Sequence, residues 1–214
     1  MTEERTERFK KVAAQRQNNL TIILENVHDQ HNIGAVLRTA DSVGIKEIYV
    51  LYSEPELAVK NINLGKRTSS GARKWVDVHF FTETKACFEK VRQNYSTILS
   101  THLDENPTSL YELDLTQSVA LLFGNESDGI SAEALSYSDG NFIIPQMGMV
   151  KSLNISVACA ITLYEALRQR EKKGFYDDNK PMPPKEQEAL FQEYAARHES
   201  KLTRKKAYNQ DYVD

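Results

Sequence analysis

Short apolar runs rich in β-branched residues alternate with stretches of helical period along most of the chain. Leu20–Glu25 (LTIILE) has the length and composition of a buried strand. A polar loop, NVHDQHN, follows it, then helical character from Ile33 to Val43 with Gly44 as the stop signal. Further strands are predicted at Glu47–Tyr52, Lys74–Phe81, Ser96–Thr101, Val119–Phe123 and Asn141–Ile144, with a helix near Thr84–Asn94 and a short one after Ser131. Residues 53–74 read as irregular, with a turn signal at 69–71. A long helix is predicted from about Ser152 to Arg170; its opening turns, LNISVACAITL, are apolar nearly all round and imply burial on several sides. Charged amphipathic helices are predicted at each end, over 3–17 and about Lys185–Ser200.

Strands alternating with helices predict an α/β fold, a mostly parallel sheet flanked by helices. Such sheets bind ligands beyond the carboxyl ends of their strands. Three loops leave late strand ends, at 101–106, 124–130 and 145–152, and a small-molecule site is expected among them.

Composition narrows the class. At 214 residues and 40% hydrophobic, the chain is long enough for a self-sufficient core. Its longest apolar runs fall well short of a membrane span, and the charged start MTEERTERFKK does not read as a secretory signal. Cys87 and Cys159 stand far apart with no CxxC pair, which favours a reducing, cytoplasmic setting over disulfides or zinc. His28 and His31 have no third ligand in view, so no metal is expected.

The net charge of −3 conceals an uneven distribution. Residues 1–92 carry 15 basic and 12 acidic side chains, 93–150 carry 8 acidic and no Lys or Arg, and 151–214 carry 12 basic and 10 acidic. Lys60, Lys66, Arg67, Arg73 and Lys74 form one basic cluster, and Lys201, Arg204, Lys205 and Lys206 another. Such clusters either track a nucleic-acid backbone or simply face solvent.

What is missing also counts. No glycine-rich turn follows the first strand, and the chain holds no P-loop, HExxH or GxSxG motif. The glycines that permit close ligand approach, Gly124, Gly129 and Gly148, come late.

Three ordered stretches supply the remaining signal: NIGAVLRTAD (Asn32–Asp41), LLFGNESDGI (Leu121–Ile130) and IPQMGMVKSLNISVA (Ile144–Ala158). They resemble motifs 1, 2 and 3 of the SPOUT-class RNA 2′-O-ribose methyltransferases of the TrmH (SpoU) family. The resemblance covers about residues 20–170 and is nearest to the branch that methylates guanosine 18 in the tRNA D-loop. It implies a SPOUT α/β-knot domain over 20–172 with a deep C-terminal trefoil knot. An N-terminal helical extension (1–19) and a basic C-terminal helical one (173–214) would flank it and hold tRNA. It further implies S-adenosyl-L-methionine as methyl donor, tRNA as partner and a homodimer whose sites are completed across subunits.

Carried onto this chain, the resemblance makes Arg38 the group that activates the ribose hydroxyl. A helix-surface arginine is otherwise ordinarily ion-paired. Asn32 would orient that arginine, or simply cap its helix. Glu126 would hold Asn32 or the arginine, or accept the proton itself. Ser152 and Asn154 would line the site, although Ser152 at a helix start also reads as a plain cap. Thr101, Gly124, Ile144 and Leu153, with Met149 nearby, would hold the donor mainly through backbone groups. Two other functions stay open: the same chemistry on ribosomal RNA, whose enzymes often carry an extra N-terminal domain that has no room before residue 20, or a non-catalytic RNA-binding protein keeping the fold. Retention of Arg38, Glu126, Ser152 and Asn154 argues against the last.

Overall fold

A computed structural model describes residues 1–54, 56–57, 71–102, 107–125, 127–150 and 152–199, and the backbone of 207–208. The chain folds around one parallel sheet. Its strands are β1 (Leu20–Glu25), β2 (Glu47–Leu51), β3 (Asp77–Phe81), β4 (Thr97–Thr101), β5 (Thr108–Ser109), β6 (Val119–Phe123), β7 (Gly140–Ile143) and β8 (Ala207–Tyr208). Their order across the sheet is β5-β7-β4-β6-β1-β2-β3-β8, and every pairing is parallel. The central strands β1 and β6 are buried along their whole length, which is why their sequences run apolar without alternation.

Helices cover both faces. Leu20, Ile22 and Leu24 of β1 and Val119, Leu121 and Phe123 of β6 point to one side, where α2 (Gln30–Ser42) and α5 (Ile155–Lys172) pack on them. Ile23, Ala120 and Leu122 point to the other, against α3 (Thr84–Arg92) and the short α4 (Ala132–Leu135). A third cluster forms between α1 (Glu3–Ala14) and α6 (Pro184–Glu199), where Phe9 and Ala13 meet Leu190, Phe191 and Tyr194. Arg16, fully buried, ties this pair to the sheet domain: it donates to the Tyr194 hydroxyl at 2.8 Å and to the Asp41 carboxylate at 2.5 Å.

Several boundaries differ from the sequence expectation for local reasons. Helix α2 starts at Gln30 rather than Ile33, because Asp29 caps it by accepting from the His31 amide at 2.8 Å. It ends beside Gly44, whose φ of +84° and close approach to the Gln15 carbonyl leave no room for a Cβ. Helix α1 stops at Ala14 rather than 17, and β3 starts at Asp77 after a single 3-10 turn at Ala72–Lys74. Helix α5 starts at Ile155, not Ser152, and it is not buried all round: Val157 is 45% and Tyr164 52% exposed. The two-residue strand β5 was not anticipated. Most of the irregular 53–74 stretch, including Lys60, Lys66 and Arg67, and the basic residues 201–206 lie outside the described residues.

The topology fixes where a ligand can bind. From β1 the chain moves toward β2 and β3; from β6, its neighbour, it moves the opposite way, past β4 to β7. The loops leaving β1 and β6 therefore part at a switch point at the carboxyl edge of the sheet.

Candidate functional site

Four segments gather at that edge. The first, after β1, turns sharply at Asn26, whose left-handed backbone (φ +48°) is held by its side-chain amide donating to Ser53 Oγ at 2.9 Å. It delivers Asn32 to the first turn of α2, where Asp29 rather than Asn32 serves as the cap.

The second segment, 144–154, joins β7 to α5. Ile144 and Leu153 are half-buried, whereas Ser152 and Asn154 are exposed. Asn154, not Ser152, caps α5: its Oδ1 accepts from the Ser156 amide at 2.9 Å and the Ser156 hydroxyl at 2.6 Å. The same side chain's Nδ2 donates to Asn32 Oδ1 at 3.1 Å. One amide thus caps one helix and joins it to the first turn of another, so two residues 122 apart in sequence form a fixed polar junction. Between Ile144 and Asn154 the chain offers bare apolar surface: Met147 is 96% and Met149 100% exposed. Gly148 has open space around it.

The third segment, 124–130, folds back on itself. Asn125 and Gly129 exchange backbone hydrogen bonds of 3.0 and 3.2 Å, while the Asn125 side chain accepts from the Ser127 and Asp128 amides at 2.8 and 2.7 Å. The return crosses directly over Gly124; a Cβ there would lie 2.1 Å from the Gly129 carbonyl. Gly124 is therefore required by the fold of the turn itself. Glu126 lies outside the described residues. The fourth segment begins at Thr101, whose hydroxyl donates to the Leu122 carbonyl at 3.3 Å.

Strands β7, β4 and β6 are adjacent, so Ile144, Thr101 and Gly124 stand at three neighbouring strand ends within about 10 Å. From Ile144 the chain runs directly into the exposed methionine-bearing loop.

Arg38 stands apart. It is exposed and, among the described residues, makes no hydrogen bond or ion pair. It lies six residues beyond Asn32, about 9 Å along the helix and out of phase by about 120°. It shares instead the stripe of His31, Ala35 and Ser42, and Ser42 Oγ lies 3.5 Å from the Tyr164 hydroxyl on the open face of α5. The structure thus joins Asn32 to Asn154 and aligns Thr101, Gly124 and Ile144, while the Arg38 side chain bonds to neither group among the described residues.

Sequence reasoning missed one pair. Glu25, fully buried at the end of β1, accepts from the Ser131 amide at 2.9 Å and the Ser131 hydroxyl at 2.5 Å. The available signal was an acidic residue closing an otherwise apolar strand.

A parallel α/β sheet with a glycine-dependent turn, a methionine-bearing loop and an asparagine junction at its switch point defines the class: an α/β protein whose candidate site draws mainly on its C-terminal half. The chain belongs to the SpoU rRNA methylase family, whose sequence pattern matches residues 19–164. It is 43% identical over 176 residues to the tRNA (guanosine(18)-2′-O)-methyltransferase of Thermus thermophilus, covering 82% of this chain and 88% of that protein. The enzyme of the same description from Escherichia coli K12 is 36% identical over 192 residues, 89% of this chain and 82% of the relative. Among solved structures, the A. aeolicus TrmH/SpoU tRNA modifying enzyme superposes with a TM-score of 0.80 at 31% identity, covering 92% of this chain and 97% of that one. The SpoU methyltransferase AviRb from Streptomyces viridochromogenes, solved in complex with AdoMet, gives 0.61 at 26% identity over 73% of this chain and 62% of its own.

Proposed function

We propose that the chain is an S-adenosylmethionine-dependent tRNA (guanosine(18)-2′-O)-methyltransferase. The observation that carries this reading is the 43% identity to the Thermus enzyme across 88% of that relative's length. A 23S rRNA (guanosine-2′-O-)-methyltransferase from Xanthomonas is 36% identical, but the match takes in only 59% of that protein.

The residues fit the donor. Glycine at 124 leaves the turn's backbone bare, Gly148 is open, and Met147 and Met149 expose thioether surface rather than charge. The bound donor supplies an electrophilic methyl group on a sulfonium. Backbone groups of Thr101, Gly124, Ile144 and Leu153 would hold its adenosyl and methionine parts, with Met149 nearby. Asn32 and Asn154, already joined, set the floor on which the ribose rests, with Ser152 beside them. Arg38 would grip the neighbouring RNA phosphate through its fork of N–H donors and stabilise negative charge on the ribose 2′-oxygen as its proton leaves. A guanidinium rarely surrenders its proton, so Glu126 takes the hydroxyl proton in this scheme. Holding two reactants in line contributes on the order of 7–11 kcal/mol in favourable cases.

In this scheme Arg38 serves the donor site of a second copy. The exposed Val157 and Tyr164 on α5, together with Met147, Met149 and Val150, form the apolar surface for such a copy. The active species is accordingly a homodimer in which the guanidinium of one chain serves the donor pocket of the other. The late chain forms the family's trefoil knot; in support, β7 pairs with both β4 and β5, so it enters between strands consecutive in the sequence. The unit over 20–172 performs the chemistry. The flanks 1–19 and 173–214, whose helices α1 and α6 share a core of their own, hold the tRNA body. The setting is the cytoplasm, in keeping with two buried free thiols.

Incubating the protein with labelled S-adenosylmethionine and unmodified tRNA or 23S rRNA transcripts tests this. Label at the ribose of guanosine 18 is expected. Label on rRNA alone would replace the substrate, and no label with no heat of donor binding would leave an RNA-binding protein.

A further inference from the structure

The pair that sequence reasoning missed has a position that bears on the donor. Turn 124–130 leaves β6 at Gly124 and must return over it at 2.1 Å from any Cβ, so the placement of Gly124's backbone depends on where the turn's far end is fixed. Helix α4, which begins there, has four residues, too few for its own hydrogen bonds to hold its start. What fixes it is Ser131. Its amide and its hydroxyl both donate to the Glu25 carboxylate, while its Oγ accepts from the Ala134 amide at 3.1 Å. Ser131 therefore relays one hydrogen-bond chain from the end of β1 to the first turn of α4.

Glu25 is a demanding way to make this anchor. Its carboxylate is fully buried and, among the described residues, accepts from Ser131 alone and has no ion-pair partner. A buried carboxylate without a cation costs more than a neutral anchor of the same shape. What it provides is a bidentate acceptor that fixes both the position and the rotation of residue 131. β1 and β6 are hydrogen-bonded neighbours with Leu24 opposite Phe123, so the clamp ties the turn's return to the strand beside its departure.

We infer that Glu25 is a positioning residue for the donor site: through Ser131 it sets the turn that carries Gly124, and so the affinity for S-adenosylmethionine, without touching donor or RNA. This rests on the proposed function for the identity of the donor.

The test compares Glu25→Ala, Glu25→Gln and Ser131→Ala with wild type by donor calorimetry, tRNA binding and hydrogen exchange in the ligand-free protein. Glutamine can accept from the Ser131 amide through its oxygen and donate to Oγ through its nitrogen. Glu25→Ala is expected to weaken donor binding at least tenfold, to leave tRNA affinity within twofold, and to speed exchange at the Asn125, Gly129 and Ser131 amides. Glu25→Gln should restore donor affinity to within about threefold. Ser131→Ala, which keeps the amide bond and covers the case in which Glu25→Ala does not fold, should show a smaller loss in the same direction. Wild-type donor affinity and unchanged exchange in a folded Glu25→Ala or in Ser131→Ala would overturn the inference. So would equal losses of donor and tRNA binding, unrelieved by glutamine. If wild type takes up no donor, the functional reading fails, and the exchange data alone then decide whether the clamp holds the turn.

Discussion

Apart from the Glu25–Ser131 clamp, the two ends of the sheet are built on opposite terms. At the amino end, polar groups are buried and saturated. Arg170, with no exposed surface, directs its guanidinium to five acceptors: the Leu115, Asn19 and Gln117 carbonyls and the side chains of Gln17 and Asn19, at 2.6 to 3.2 Å. Burial pushes its pKa down to about 10. Glu47 faces His79 at 3.0 Å and accepts from Tyr49, Tyr95 and Asn94 at 2.8, 3.1 and 3.4 Å. Burial alone would raise its carboxyl pKa, but the hydrogen bond and charge of His79, with Tyr49, outweigh it and hold the group at about 2. At the carboxyl end, Ser152 and Met149 are exposed, as is the hydrogen-bonded Asn154, and two turns along α2 Arg38 is exposed with no side-chain partner among the described residues. Satisfied polar groups stabilise and specify a fold; unsatisfied exposed ones remain available to a ligand.

The contrast predicts that substitutions at the two ends separate stability from activity. The largest effect belongs to Arg170→Met, which strands five acceptors in the interior. We expect a loss of about 3–5 kcal/mol in urea unfolding, with the donor affinity of the remaining folded fraction unchanged. Arg38→Ala should do the reverse. Turnover should fall on the order of 100- to 1000-fold, with the melting temperature unmoved and donor affinity within a few-fold; wild-type rates would end the proposed role.

Next is Glu47→Gln. A carboxyl held at about 2 in the folded chain, against an ordinary glutamate value of 4.5, stabilises above about pH 4.5, and that contribution is lost as pH falls toward 2. Wild type should lose about 2–3 kcal/mol across that window, and the variant should lose correspondingly less, as read by denaturant midpoints at each pH. The smallest effect separates the two duties of one residue. Asn154→Asp keeps an acceptor for the Ser156 amide but removes the donor to Asn32 Oδ1. Stability should change by less than about 1 kcal/mol, while turnover drops about tenfold at unchanged tRNA affinity.

The same contrast explains what the sequence could reveal. Strands β1 and β6 carry their burial in unbroken apolar runs, and their observed limits coincide with the expected ones. Two helix starts did not, because a cap is set by one side chain: Asp29 displaced the start of α2 upstream, and Asn154 displaced that of α5 downstream. The apolar circumference of α5 was visible, but periodicity could not tell which part of it meets the core and which, at Val157, stays exposed. Among site residues, the contact between Asn32 and Asn154 crosses 122 positions and leaves no periodic trace. The resemblance placed both at the site; only the fold made them neighbours. Arg16 and Arg170 are fully buried, and nothing local in the sequence marks them for it, because what buries a guanidinium is a set of carbonyls that no local pattern encodes.

If salt-sensitive phosphate contacts hold the tRNA, affinity should fall steeply between about 50 and 200 mM salt. The most direct measurement, however, is a crystal structure of the protein with S-adenosylmethionine. The account predicts the donor against the backbones of Thr101, Gly124, Ile144 and Leu153, with Arg38 of a second copy facing its methyl group. A donor lodged elsewhere, or one in that pocket with no Arg38 near it from either copy, would contradict it.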